Sequence, residues 1–179
     1  YSTKYGPTRG AAAKILAVFI IATMLYWSGM LLMSLISFGG MGTGGAFASI
    51  QTESPYSMYG LNFLERYLLI LLSGYVACLF SAGMTLLLFV KTKSAISAMS
   101  ISFLLFAGLP LLAGNDAFES FRMLTPDRLF HVQDNMNNPC VYQFGTIVCS
   151  RVTLLIALYS FLLIPTVVLS YRGFRKGSM

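Results

Sequence analysis

Four long runs without a single charged residue divide this chain, at residues 15–38, 67–90, 94–113 and 152–171. Each supplies the roughly 20 mostly apolar residues needed to cross a hydrocarbon core about 30 Å thick. Composition agrees: 56% of the residues are hydrophobic and only 10% are charged, where a soluble domain carries roughly 25%. A soluble fold is therefore a poor solution for this sequence. The fold class expected is an all-α integral membrane protein, a bundle of four transmembrane helices.

The polar stretches between the runs alternate in sign. All six acids, Glu53, Glu65, Asp116, Glu119, Asp127 and Asp134, fall in residues 39–66 and 114–151. Eight of the twelve basic residues fall in the other three stretches. Residues 1–14 hold Lys4, Arg9 and Lys14, residues 91–93 hold Lys91 and Lys93, and residues 172–179 hold Arg172, Arg175 and Lys176. Cytoplasmic loops carry such a Lys/Arg excess. The pattern predicts a multi-pass protein of the cell membrane with both ends of this segment cytoplasmic. The net charge of +6 then reads as topology and contact with anionic membrane lipids, not as a nucleic-acid surface. The chain opens on Tyr1 and not on Met, which leads us to expect part of a longer polypeptide.

The loops differ in what they offer. Only Lys91-Thr92-Lys93 separates the second and third runs, which predicts a tight helical hairpin. Residues 39–66 open with Gly39-Gly40-Met41-Gly42-Thr43-Gly44-Gly45. A glycine-rich loop that cradles phosphate needs a following Gly-Lys-Ser/Thr; none follows, so a flexible outer loop is expected. Residues 114–151 are richer. Phe118, Phe121 and Leu124 recur at helical spacing beside Asp116, Glu119 and Arg122, the pattern of a short amphipathic helix. Thr125-Pro126-Asp127 reads as a helix start, with a second short helix from Arg128 to about Gln133. These short outer helices between the last two spans lie at the interface or dip back into the bundle, where protein must shelter their backbone. Cys140 and Cys149 stand nine residues apart in the same stretch. A bridge between them would contribute about 2–3 kcal/mol; two free thiols in a reducing host are the alternative.

Few residues invite chemistry. His131 is the only histidine, with Asp127 and Asp134 nearby. A zinc centre wants three or four ligands, and Cys140 and Cys149 complete such a set only when reduced. An interfacial polar role is the simpler reading, and no metal is expected. Ser81 and Ser100 lie within spans, but no span contains His or Lys to activate a nucleophile. No catalytic residue is assigned, and no cofactor belongs to this chain. Proton-coupled carriers hold ionisable groups at membrane depth, and these runs have none. The second run carries small residues instead: Ser73, Ala77 and Ser81, with Gly74, Cys78 and Ala82 one position later. Such stripes let helices approach closely in lipid, and Cys78 belongs to the packing. Pro110 and Pro165 each remove a backbone donor and can kink their helices.

The order of these parts resembles the permease subunit of an ABC-2-type ATP-binding-cassette exporter. The resemblance starts at Ser2-Thr3-Lys4-Tyr5-Gly6-Pro7-Thr8-Arg9 and Ala13-Lys14, similar to the family's cytoplasmic segment between its second and third spans. It continues through Ile50-Gln51, Ser54-Pro55-Tyr56 and the hairpin end Phe89-Val90-Lys91-Thr92-Lys93-Ser94. It closes on the basic terminus Tyr171-Arg172-Gly173-Phe174-Arg175-Lys176. Pro7 departs from the family, which tends to continue in helix there. The resemblance implies the last four spans of a six-span unit. Its partners would be a second permease unit or the remaining spans, and a dimer of cytoplasmic ABC ATPase subunits docking on residues 1–14 through Lys4, Tyr5 and Arg9. ATP and Mg would sit in that partner, since this chain has no Walker-type loop. The implied function is export of an amphipathic substrate, peptide or lipid-like. The alternative is a non-transporting four-span scaffold or assembly subunit of a larger membrane complex.

Overall fold

The computed structural model describes residues 6–53, 59–108, 124–137, 141–144 and 146–176. The chain is mostly helical, and three helices are long and apolar enough to cross a membrane, within Arg9–Gly40, Phe63–Thr92 and Arg151–Arg175. A shorter apolar helix covers Ala95–Gly108. The third expected span, 94–113, is described only to Gly108, and Pro110 lies outside the described residues.

Helix α1 runs unbroken over Gly6–Met41. Pro7 occupies its first turn, where a missing N–H breaks no intrahelical bond and the fixed φ suits the helix. The polar segment 1–14 is thus largely a continuation of the first span, with Arg9 and Lys14 on the same helix. Helix α2, Phe63–Thr92, starts at a capping box: Asn62 N–H donates to Glu65 Oε2 at 2.9 Å. This reciprocal pairing supplies orphan amides of the first turn. The outer loop before it is tied down at its base by Ile50 N–H to Leu61 O at 3.0 Å and Phe63 N–H to Ala48 O at 3.1 Å. It is further held by an Arg66–Glu53 ion pair at 2.9 Å. Of the glycine-rich stretch, Gly39, Gly40 and Met41 end α1, and Gly42 to Gly45 lead into this closed loop.

Between α2 and helix α3, Ala95–Phe103, the chain turns at Lys93, which takes a left-handed φ of 54°. Ser94 caps α3 by accepting from Ser97 N–H. A π-turn over Leu104–Gly108 continues α3. After the undescribed stretch come a 3₁₀ turn at Pro126–Leu129 and helix α4 at Val132–Asn137. The helix start at Thr125-Pro126-Asp127 is where the sequence places it. The single helix expected from Arg128 to Gln133 is instead two pieces, broken at Phe130 and His131.

A two-stranded antiparallel hairpin, β1 Val141–Phe144 with β2 Ile147–Ser150, departs from an all-α reading. Its strands contain Val141, Tyr142, Phe144, Ile147 and Val148 on either side of Gly145-Thr146, β-branched and aromatic residues that favour extended chain. Helix α5, Arg151–Lys176, follows at once with Pro165 inside it.

Helix α2 is the hub, packed against α1, α3 and α5, while α1 also meets α5. Its seam with α1 is polar for a membrane bundle. Tyr26 Oη donates to Leu71 O at 2.6 Å, Thr23 and Tyr75 share a hydroxyl bond at 3.1 Å, and Ser34 bonds Tyr67. Hydroxyl bonds of this kind hold helices where no hydrophobic effect operates between them.

Candidate functional site

Two features of the hub helix organise everything around it. One face grips a buried turn; the other lines a groove open at the side of the bundle.

The turn Pro126–Leu129 enters between α2 and α5. Leu129 is 2% exposed and packs with Ala77, Phe80, Leu155 and Tyr159. Irregular backbone buried among side chains needs an acceptor-by-acceptor accounting, because an unpaired buried carbonyl is costly. Tyr159 Oη donates to Leu124 O at 2.6 Å, and Ser73 Oγ donates to Leu129 O at 2.5 Å. Asn135 Nδ2 donates to Arg128 O at 2.8 Å. Arg128 and Phe130 N–H groups take Thr125 O and Asp127 O at 3.1 and 2.9 Å. The turn is sheltered by side chains from α2, α4 and α5. Beside it, Arg151 at the start of α5 is buried and donates from Nη1 to Asn135 Oδ1 at 3.2 Å. A second cluster of Ile50, Val132, Met136 and Val152 joins both loops of the acidic end into one cap.

Replacing Ser73 tests this grip. Ser73→Ala strands a buried carbonyl and is expected to cost about 1–3 kcal/mol. Ser100→Ala, on an exposed face of α3, is expected to stay within about 0.5 kcal/mol. Thermal unfolding in micelles compares the two, and equal midpoints would remove Ser73 from the turn.

The groove lies between α1, α2 and α3 and encloses about 920 Å³. Leu25 and Phe130 flank it at the acidic end, and Lys14 and Phe174 at the basic end. Its floor is α2, through Cys78, Ser81, Ala82 and Thr85. Thr85 Oγ1 donates to Ser81 O at 2.8 Å and shares a 3.0 Å hydroxyl bond with Ser102 of α3. Lys14 Nζ stands 5.7 Å from the centre of the Phe174 ring, a cation–π contact that keeps a charge at the groove's end. An apolar trough with hydroxyls in its floor and a cation at one mouth suits a long amphipathic molecule.

The expected small-residue stripe is split between these features. Ser73 and Ala77 are fully buried toward the turn. Gly74 and Cys78 turn toward α1: a Cβ on Gly74 would stand 2.7 Å from Tyr26 Oη, and Cys78 Sγ lies 3.8 Å from Ala22 O. Ser81 lines the groove. Arg9 lies on α1, five residues before Lys14 and exposed at the basic end; Lys4 and Tyr5 lie outside the described residues. Cys149 stands opposite Tyr142 in the hairpin. Cys140 lies outside the described residues, and the proposed bridge with it. His131 is exposed, 3.7 Å from Asp134, and no three metal-ligating side chains converge among the described residues. Sequence reasoning missed Tyr159, Asn135 and Arg151. An Arg heading an apolar run was the one visible signal, since a cation at a helix N-terminus opposes the dipole.

No family model matches this chain, and no curated protein or solved structure matches it either.

Proposed function

We propose that this chain is a transmembrane permease subunit of an ATP-binding-cassette exporter, moving an amphipathic peptide or lipid-like substrate along the groove between α1, α2 and α3. The groove carries the reading. It runs from Phe130 to Lys14, opens sideways, and combines an apolar wall with the Ser81 and Thr85 hydroxyls. A substrate with a long apolar body and a polar head can enter it from the bilayer without complete desolvation of that head. The residues 94–113 complete a fourth span in this reading, and the basic end faces the cytoplasm. ATP hydrolysis takes place in a separate subunit docked near Lys4, Tyr5 and Arg9. Its work reaches the bundle as a rigid-body motion, because α1 continues from Arg9 into the membrane as one helix.

A scaffold role has one observation in its favour: the broad apolar face of α1, from Leu16 and Ile20 to Leu35 and Ile36, is exposed. Such a face is covered by lipid or by a neighbouring helix. Charge reversal separates the two readings. Lys4→Glu with Arg9→Glu is expected to weaken association with the ATPase subunit by about ten-fold or more, since like charges facing one another at an interface cost several kcal/mol. Co-purification from native membranes with unchanged helical content reads this out. An ATPase absent from the native complex would sink the permease reading and leave the scaffold.

A further inference from the structure

The basic end of the bundle carries Lys14, Lys91, Lys93, Arg172 and Arg175, while every carboxylate among the described residues lies at the other end. A cavity of about 650 Å³ opens there between α1 and α5, separate from the groove. Phe19, Leu163 and Val167 wall it, and Tyr171, Arg172 and Arg175 line its mouth.

Its dimensions decide among anions. From Leu163 to Arg175 the helix rises about 18 Å, at about 1.5 Å per residue. One leaflet of hydrocarbon is about 15 Å deep, half of a core of roughly 30 Å. The cavity's lining therefore spans about the length of one acyl chain, with two guanidiniums at its polar end. Guanidinium forks match phosphate oxygens geometrically. A free phosphate would use the arginines and leave the apolar wall empty. An acidic protein surface would do the same. We infer that the α1–α5 cavity is a binding site for an anionic phospholipid of the leaflet at the basic end, its phosphate held by Arg172 and Arg175 and one acyl chain laid against Phe19, Leu163 and Val167. Basic pockets between membrane helices recognise lipid headgroups through this pairing of charge and apolar surface. The assignment stands whether or not the chain belongs to a transporter.

Native mass spectrometry of the full chain in detergent micelles tests it, with dioleoyl phosphatidylglycerol and dioleoyl phosphatidylcholine as probes of identical chains. Phosphatidylglycerol is expected to remain bound in preference to phosphatidylcholine. R172Q/R175Q is expected to lower its retention about twenty- to thirty-fold, each cation contributing roughly a factor of five at an anionic surface. K91Q/K93Q removes as much charge from the same end and is expected to change retention less than about two-fold, because those residues lie outside the cavity. Val167→Trp fills the apolar wall and is expected to displace the lipid with both arginines in place. Equal retention of the two lipids by the unaltered chain overturns the inference without recourse to any variant. So does an equal loss in K91Q/K93Q, which would mean diffuse attraction only. Full retention in Val167→Trp, or an acidic protein surface occupying the arginines of a chain that retains neither lipid, overturns it too.

Discussion

Leu129→Asp is expected to abolish the cap at the acidic end, and Leu129→Ala to weaken it by about 2–5 kcal/mol, the range for emptying a buried leucine site. Leu129 is 2% exposed in a cluster drawn from α2, α5 and its own turn. The alanine variant loses the wedge and leaves a cavity that the two long helices cannot close freely. The aspartate variant adds an ionised group with no partner, which costs several kcal/mol more. Phe130→Ala is the matched control: its neighbour in sequence is 53% exposed, and its loss is expected to leave the midpoint almost unchanged. Thermal unfolding followed by circular dichroism gives the midpoints. Trp27, the only tryptophan, reports the α1–α2 seam from its place 6.0 Å from the Tyr75 ring. A Leu129→Ala midpoint no lower than that of Phe130→Ala would show that the turn is not wedged in the bundle.

The second large effect belongs to Asn135, which is 1% exposed and serves two partners at once. Its amide nitrogen donates to Arg128 O and its amide oxygen accepts from Arg151 Nη1. Asn135→Leu keeps the shape and removes both bonds. Each stranded group costs about 1–3 kcal/mol, the charged one at the upper end, so about 3–5 kcal/mol is expected in total. The diagnostic is the double variant. Arg151→Met in the Asn135→Leu background removes the stranded charge and is expected to recover part of the loss. Costs that simply add, with Asn135→Leu/Arg151→Met the least stable of the set, would show that the two side chains are not coupled.

Much of the helical frame was legible because lipid makes period and charge unambiguous. Uncharged runs located the three long helices, and Thr125-Pro126-Asp127 announced a helical start at the residue where the 3₁₀ turn begins. Two local features have local causes. Helix α1 begins at Gly6 because proline in a first turn forfeits no bond. The hairpin at Val141–Ser150 was signalled by β-branched residues about Gly145-Thr146, but an expectation of outer helices overrode a short pattern. The rest was out of reach in principle. Ser73 meets Leu129 across 56 residues, and Tyr159 meets Leu124 across 35. Neither spacing follows from a helical period, so a stripe of small residues could be seen while its division between turn and groove could not.

The buried turn has a consequence for the order in which its contacts can form. Its partners are synthesised on either side of it: Ser73 before the turn, and Asn135 and Tyr159 after it. When residue 129 leaves the ribosome, one of its carbonyl anchors already waits in α2, but Leu124 O has no donor until α5 has been translated and inserted. Unlike a pair of neighbouring helices that can dock as soon as both exist, this piece of backbone gains its second anchor only from the last helix. The acidic-end cap is therefore complete only with its final segment, since Leu155 and Tyr159, half of the apolar seat of Leu129, also lie there.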